Sequence, residues 1–190
     1  MEYGKFIISG EDKKTLARVK NTLTSNGHIF IGYAREPLNI LRHIRNTGPD
    51  FIILEICNNF GAMKQVLGLI DEDLLAACLL VLDTRNDEIF EFLRSSRAMT
   101  YITKPVFDEA VLQVTDLSLI NYRRILDYEQ KVRKLNETLE NRKIIEKAKW
   151  ILVEREGYSE SQAYELIKRK SRDNRIPMRE IAEALILTRG

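Results

Sequence analysis

Five short apolar runs separated by amphipathic stretches leave this chain few folds to choose from. Phe6-Ile7-Ile8, Ile29-Phe30-Ile31-Gly32, Phe51-Ile52-Ile53-Leu54, Leu79-Leu80-Val81-Leu82 and Tyr101-Ile102-Thr103 read as strands. Between them, Lys13 to Asn26 carries Leu16, Val19 and Leu23 on one helical face and is closed by Gly27. Pro37 to Arg45 (through Leu38, Leu41 and Ile44), Gly61 to Leu69 and Asp87 to Ser96 are the next helices. The run at Phe51 is apolar at consecutive positions, not at alternate ones. A strand of that kind belongs in a parallel sheet covered on both faces.

Strand–helix alternation of this length predicts an α/β, flavodoxin-like, five-stranded parallel sheet with helices on both faces. In such a fold the chemistry sits in the loops at the carboxyl ends of the strands. At 190 residues there is room for one ordinary domain and a small second one. Asp108 to Asn141 contains neither Pro nor Gly and is helix-permissive throughout. Ile125, Tyr128, Val132, Leu135 and Leu139 recur there at alternating spacings of three and four, an a/d seam for a coiled-coil dimer, with Asn121 in register one step earlier. A helix packed on its own sheet is the competing reading of this segment.

The last fifty residues read as three helices. Gly157 ends the first, because glycine takes the left-handed conformation without steric cost. Ser159 and Gln162 form a capping box for the second, with Ala163, Leu166 and Ile167 inward. Pro177 at N1 opens the third, through Met178, Ile181, Ala182, Leu185 and Ile186. The expected division is residues 1–115, a linker helix over 116–142, and 143–190. The net charge of +2 is uninformative, but Lys168, Arg169, Lys170, Arg172, Arg175 and Arg179 cluster against a single Asp173. Such a run is either a solvated helix face or a polyanion-binding surface. Cys57 and Cys78 are too few for a disulfide framework or a zinc site, and core packing is their expected role. No apolar run reaches the ~20 residues of a membrane span. A reducing, cytoplasmic setting is expected.

The C-terminal stretch resembles an ANTAR domain, the RNA-binding module of bacterial transcription antiterminators. The resemblance rests on Ala148-Lys149, Gly157-Tyr158-Ser159, Ala163-Tyr164 with Leu166, and Met178-Arg179-Glu180-Ile181-Ala182. One departure is Trp150, where the family carries a small residue; the indole has to be housed in the bundle or at an interface. Residues 5 to about 115 look like the receiver domain of response regulators. The matching pieces are Ser9-Gly10-Glu11-Asp12, Pro49-Asp50, Glu55, Gly61 and Tyr101-Ile102-Thr103-Lys104-Pro105. In that family strand 3 ends in a phosphoryl-accepting aspartate, an acidic pair after strand 1 holds magnesium, and a hydroxyl after strand 4 and a lysine before proline contact the phosphoryl group.

This chain keeps part of that set. Glu55 stands at the acceptor position with one methylene too many, displacing the attacking oxygen in a geometry that tolerates little error. Gly10-Glu11 is read as the acidic pair with one ligand lost. Asp83, beside Thr84, replaces the hydroxyl. Lys104 remains, either paired with Glu55 in imitation of an occupied site or as an ordinary rim cation. The receiver is therefore expected to be degenerate and not phosphorylated.

The two resemblances together imply a cytoplasmic antitermination regulator of the two-component type. It would bind leader RNA with paired stem-loops and so prevent terminator formation, acting on RNA polymerase only indirectly. Paired stem-loops suit a homodimer. The RNA-facing residues are expected among Lys149, Lys168, Arg169, Arg172, Arg175 and Arg179, with Tyr164 either a stacking ring or a core residue. The alternative is a phosphorylation-independent regulator whose helical bundle docks on a protein partner; a DNA-binding regulator is third. His28 and His43 sit in no ligand or nucleophile motif and no phosphate-cradling glycine loop is present, so neither enzymatic activity, cofactor nor metal is expected.

Overall fold

The structure, a computed structural model, describes residues 3–34, 37–57, 60–83 and 87–189. Its elements run β1 (Lys5–Ser9), α1 (Lys13–Ser25), β2 (Ile29–Tyr33), α2 (Pro37–Thr47), β3 (Phe51–Ile56), α3 (Phe60–Glu72), β4 (Ala77–Leu82), α4 (Asp87–Ser95), β5 (Met99–Thr103), α5 (Asp108–Glu156), α6 (Glu160–Asn174) and α7 (Met178–Arg189). All strand pairs are parallel and the sheet order is β2-β1-β3-β4-β5. The order reverses between β1 and β3, so the loops after these two strands flank one crevice. The contribution of Leu38 to α2 lies outside the described side chains.

Side chains alternate across the central strands, as the two-residue period requires. Ile52, Leu54 and Ile56 of β3 join Cys78, Leu80 and Leu82 of β4 under α2, α3 and α4. Phe51 and Ile53 join Ala77, Leu79 and Val81 on the other face, against Leu16, Val19 and Leu23 of α1 and Val111 and Leu119 of α5. Glu55 falls at the end of that second set, where an apolar side chain would continue the pattern. Its side chain has no exposed surface.

Tertiary contacts divide the chain into Met1–Asp127 and Tyr128–Gly190. Helix α5 is uninterrupted across its 49 residues. In the C-terminal unit three alanines, Ala148, Ala163 and Ala182, one from each helix, are wholly buried beside Leu152, Ile167 and Leu185. Small side chains at the contact let the three backbones approach closely, which makes these alanines the structural content of the ANTAR-like motif. Gly157 has φ 69°, and Tyr158 N–H returns to the Leu152 carbonyl at 3.4 Å. Ser159 caps α6 with the reciprocal Gln162 bond in place. Pro177 stands one residue before α7, its carbonyl accepting from Ile181 N–H at 3.3 Å. Trp150 is not housed in the bundle: it is 64% exposed.

Candidate functional site

The first candidate site is the crevice at the carboxyl ends of β1, β3 and β5. Glu55 enters it from β3. Its Oε2 accepts from Glu11 N–H at 2.7 Å and Asp12 N–H at 2.8 Å, and its Oε1 accepts from Lys104 Nζ. Lys104, just past β5, also pairs with Asp83 at 2.6 Å and Asp12 at 3.2 Å. One ammonium thus serves three carboxylates. Desolvation works against its charge, but hydrogen bonds to Asp83, Glu55 and Asp12 outweigh it and raise its pKa above the ordinary lysine value. Asp12 is held well below the usual carboxylate range, first by the Thr15 hydroxyl and amide, then by Lys104. The Cys57 thiol is pushed up to about 11 by desolvation and by the charges of Glu55 and Asp83, so it stays protonated at neutral pH.

Two expectations change here. The loop after β1 was read as losing a carboxylate, with Gly10-Glu11 as the acidic pair. Asp12 is the residue whose carboxylate reaches the pocket, while Glu11 contributes a backbone N–H. Asp12 was missed because it doubles as the N-cap of α1, bonding Lys14 and Thr15 N–H; the adjacent Glu11-Asp12 pair was the available signal. Gly10 has a different task. A Cβ there would lie 2.5 Å from Glu55 Cβ and 2.6 Å from its Oε2, and its φ is 152°. The longer acceptor-position side chain fits because position 10 has none. Thr84 lies outside the described residues.

Glu55, Cys57 and Asp83 bring ligand atoms within 4.8 Å of one another. A divalent ion does not fit this donor set: both Glu55 oxygens are engaged, and the Lys104 ammonium already sits against Asp83 and Asp12. Lys104 supplies the countercharge that a metal would bring.

The second candidate site is the outer surface of α6 and its exit turn. Arg169, Arg172 and Arg175 are exposed, and among the described residues their guanidinium groups meet no carboxylate. Lys168 is 3.2 Å from Glu165, with its ammonium 6.0 Å from the Tyr164 ring centroid. Tyr164, Lys168 and Arg172 fall at i, i+4 and i+8, one stripe of the helix. Tyr164 is 41% exposed beside buried Ala163, which overturns the core-packing alternative. Arg175 adopts the left-handed conformation, φ 56°, at the C-cap of α6.

Two members of the expected basic set are committed elsewhere. Lys149 was expected to be exposed; its side chain is only 13% so, held 2.9 Å from Glu146 and 3.8 Å from Glu160. Arg179 donates to Glu183 at 2.8 Å and to Asn141 Oδ1 at 3.2 Å. Its pKa is raised, first by Glu183 and also by Glu140 and Glu137. Both cations tie helices of the bundle together in locally acidic surroundings. One partner of each is local and legible in the sequence, Glu146 three residues before Lys149 and Glu183 four after Arg179; Glu160 and Asn141 lie on other helices, and only the fold brings them in.

The chain thus joins a receiver-fold sheet with a rebuilt acceptor pocket to a three-helix unit with a cationic turn. The ANTAR domain model matches residues 133–186, so the C-terminal unit is an ANTAR domain. The chain is 26% identical over 185 residues to the transcriptional regulatory protein PdtaR of Mycobacterium tuberculosis, spanning 97% of this chain and 90% of that one. Among solved structures it is similar to a CheY-like receiver domain protein from Methanospirillum hungatei, with TM-score 0.55 and 18% identity over 65% of this chain and 98% of that one. The receiver domain of NarL from Mycobacterium tuberculosis gives TM-score 0.52 and 17% identity over 62% and 98%. Among the described residues no helix is long and apolar enough to cross a membrane.

Proposed function

We propose that this chain is a cytoplasmic, non-enzymatic RNA-binding antitermination regulator. Its ANTAR domain stabilises paired stem-loops in a leader RNA and so denies sequence to a terminator hairpin. The observation that supports this reading best is the trio Arg169, Arg172 and Arg175: exposed cations that meet no carboxylate among the described residues, at one end of α6 in an ANTAR domain, with Tyr164 and Lys168 on the adjoining stripe. Loop phosphates require cations, and splayed bases require rings or guanidinium planes to stack on. Two stem-loops call for two readers. A homodimer paired along Ile125, Tyr128, Val132, Leu135 and Leu139 supplies them; the last four are each more than half exposed in the single chain. In the receiver-fold unit Lys104 already neutralises Glu55, which favours control by a protein partner or by oligomerisation over control by phosphorylation.

The test is a titration of the full chain against a two-stem-loop leader, a single stem-loop and a loop-scrambled control at two salt concentrations. The two-stem-loop RNA should bind tightest. Arg172→Ala and Arg175→Ala should weaken it, each lost phosphate contact flattening the salt slope by about 0.7–0.9 unit, while Lys149→Ala and Arg179→Ala change the slope much less. Equal affinity for all three RNAs would refute the reading and favour a protein-docking bundle.

A further inference from the structure

Trp150 is the single tryptophan of the chain, and it lies on the wrong side of its helix for the bundle it belongs to. Helix α5 buries Ala148 and Leu152 in the bundle core. At about 100° per residue, Trp150 points some 160° away from Ala148. Carried back along the same helix, its direction meets Leu139, Leu135, Val132 and Tyr128 within an arc of about 60°. Those five residues are exposed by 64%, 55%, 63%, 52% and 64% in the order Trp150, Leu139, Leu135, Val132, Tyr128. They form one apolar stripe on the uncovered side of α5, about 33 Å long at 1.5 Å per residue.

The stripe changes period along its length. From Ile125 to Leu139 the spacings are three, four, three, four. A continued heptad would place Arg142, Glu146 and Lys149 in the seam. Lys149 is excluded from it, because its ammonium is held among Glu146 and Glu160 and is only 13% exposed. The spacings that do reach Trp150 from Leu139 are four, three and four, through Lys143 and Glu146. This is an eleven-residue step, a heptad with four residues inserted, which locally unwinds a left-handed coiled coil and lets two helices run on side by side.

We infer that the homodimer contact does not end at Leu139 but continues through an eleven-residue step to Trp150, so that the first helices of two ANTAR domains lie against each other with the two indoles in contact. The inference rests on the dimer reading above and adds to it where the contact ends. The occupant is a second copy in parallel. β-Branched Ile125 and Val132 at a, with Leu135 at d, favour two parallel strands. That register sets Arg124 at g across from Glu129 at e of the second copy, and apposes no like charges at the e and g positions between Ile125 and Leu139. In the unwound step Lys143 and Glu146, opposite in sign and one turn apart, fall on the stripe already neutralised along their own helix, Lys143 2.7 Å from Glu140 and Glu146 2.9 Å from Lys149. The consequence for function is geometric. Two bundles fixed to each other at Trp150 hold their α6 turns at a set separation, which matches one spacing of two stem-loops.

The lone indole is its own reporter. Dilution of the full chain through its dimer dissociation, followed in parallel by sedimentation and by tryptophan emission, should move the emission to longer wavelength and open it to acrylamide quenching as monomer appears. Trp150→Ala should raise the dimer dissociation constant by about thirtyfold, the effect of a hot-spot aromatic at a two-copy contact. It should also weaken the two-stem-loop RNA more than the single one, with the circular dichroism of the bundle unchanged. A chain that sediments as a dimer while its indole stays equally quenchable at every concentration overturns the extension and leaves the Ile125–Leu139 dimer standing. A chain that is monomeric at all concentrations refutes the dimer itself and the extension with it. Val132→Lys with Leu135→Lys separates the cases: loss of dimer and of the emission shift together supports a continuous seam, and loss of dimer alone refutes it.

Discussion

Replacing Lys104 with Met tests whether the pocket of the receiver-fold unit is an internally neutralised site. The three carboxylates around Lys104 are not equally dependent on it. Asp83 and Asp12 have side chains 45% and 38% exposed and recover water when the ammonium is removed. Glu55 has none exposed and is left with Oε1 unpaired, although Oε2 keeps its two amide donors. Breaking a buried ion pair from one side costs roughly 3–5 kcal/mol, and the two surviving amide bonds place this case at the low end, about 3 kcal/mol. Urea unfolding of the full chain by circular dichroism should show that loss. Trp150 emission, which reports the C-terminal unit, should move far less. Adding Glu55→Gln to Lys104→Met should recover most of the loss, because no charge is then stranded. In the parent chain the contribution of the intact network should be flat from about pH 5 to pH 9. Lys104 holds its proton beyond its ordinary 10.5 in the folded chain, so its contribution is complete below that value and fades only as pH rises through the folded pKa. Asp12 is depressed below its ordinary 3.8, so its contribution is complete above that value and is lost as pH falls. A Lys104→Met chain within 0.5 kcal/mol of the parent at pH 7, the scatter of ordinary surface substitutions, would refute the reasoning.

Three further outcomes are expected. Incubation with acetyl phosphate and magnesium should leave the intact mass unchanged, and a stoichiometric phosphoryl adduct lost in Glu55→Gln would contradict the pocket described here. Gly10→Ala should destabilise the receiver-fold unit by about 1–3 kcal/mol in urea unfolding, because the new Cβ meets Glu55 at 2.5 Å; a neutral result would mean the loop after β1 yields freely. Arg175→Gly should stabilise the bundle by about 1 kcal/mol, removing the left-handed strain at φ 56°, while weakening RNA binding; unchanged RNA affinity would remove Arg175 from the site.

Much of this architecture was legible before any coordinates, because local sequence pattern decides it. The continuous apolar run at Phe51 admits only a strand covered on both faces, and the Ser159–Gln162 box and Gly157 set helix ends through groups no more than a few residues apart. The three alanines at the bundle centre announced themselves as a motif without revealing their reason, which is close backbone approach. What tertiary structure alone decided are pairings across the fold. Asp12 and Lys104 are 92 positions apart in sequence and meet at 3.2 Å because parallel strands end at the same edge of the sheet. Lys149 and Arg179 each have a carboxylate one turn away on their own helix, Glu146 and Glu183, which spacing alone supplies, and only the packing of the three helices adds Glu160 to one and Asn141 to the other. Gly10 looked like a lost ligand and proved to be the space that Glu55 occupies. A charge or a gap in a sequence has no partner until the chain is folded around it, and for this protein that partner separates the cations left exposed on α6 from those that hold the bundle together.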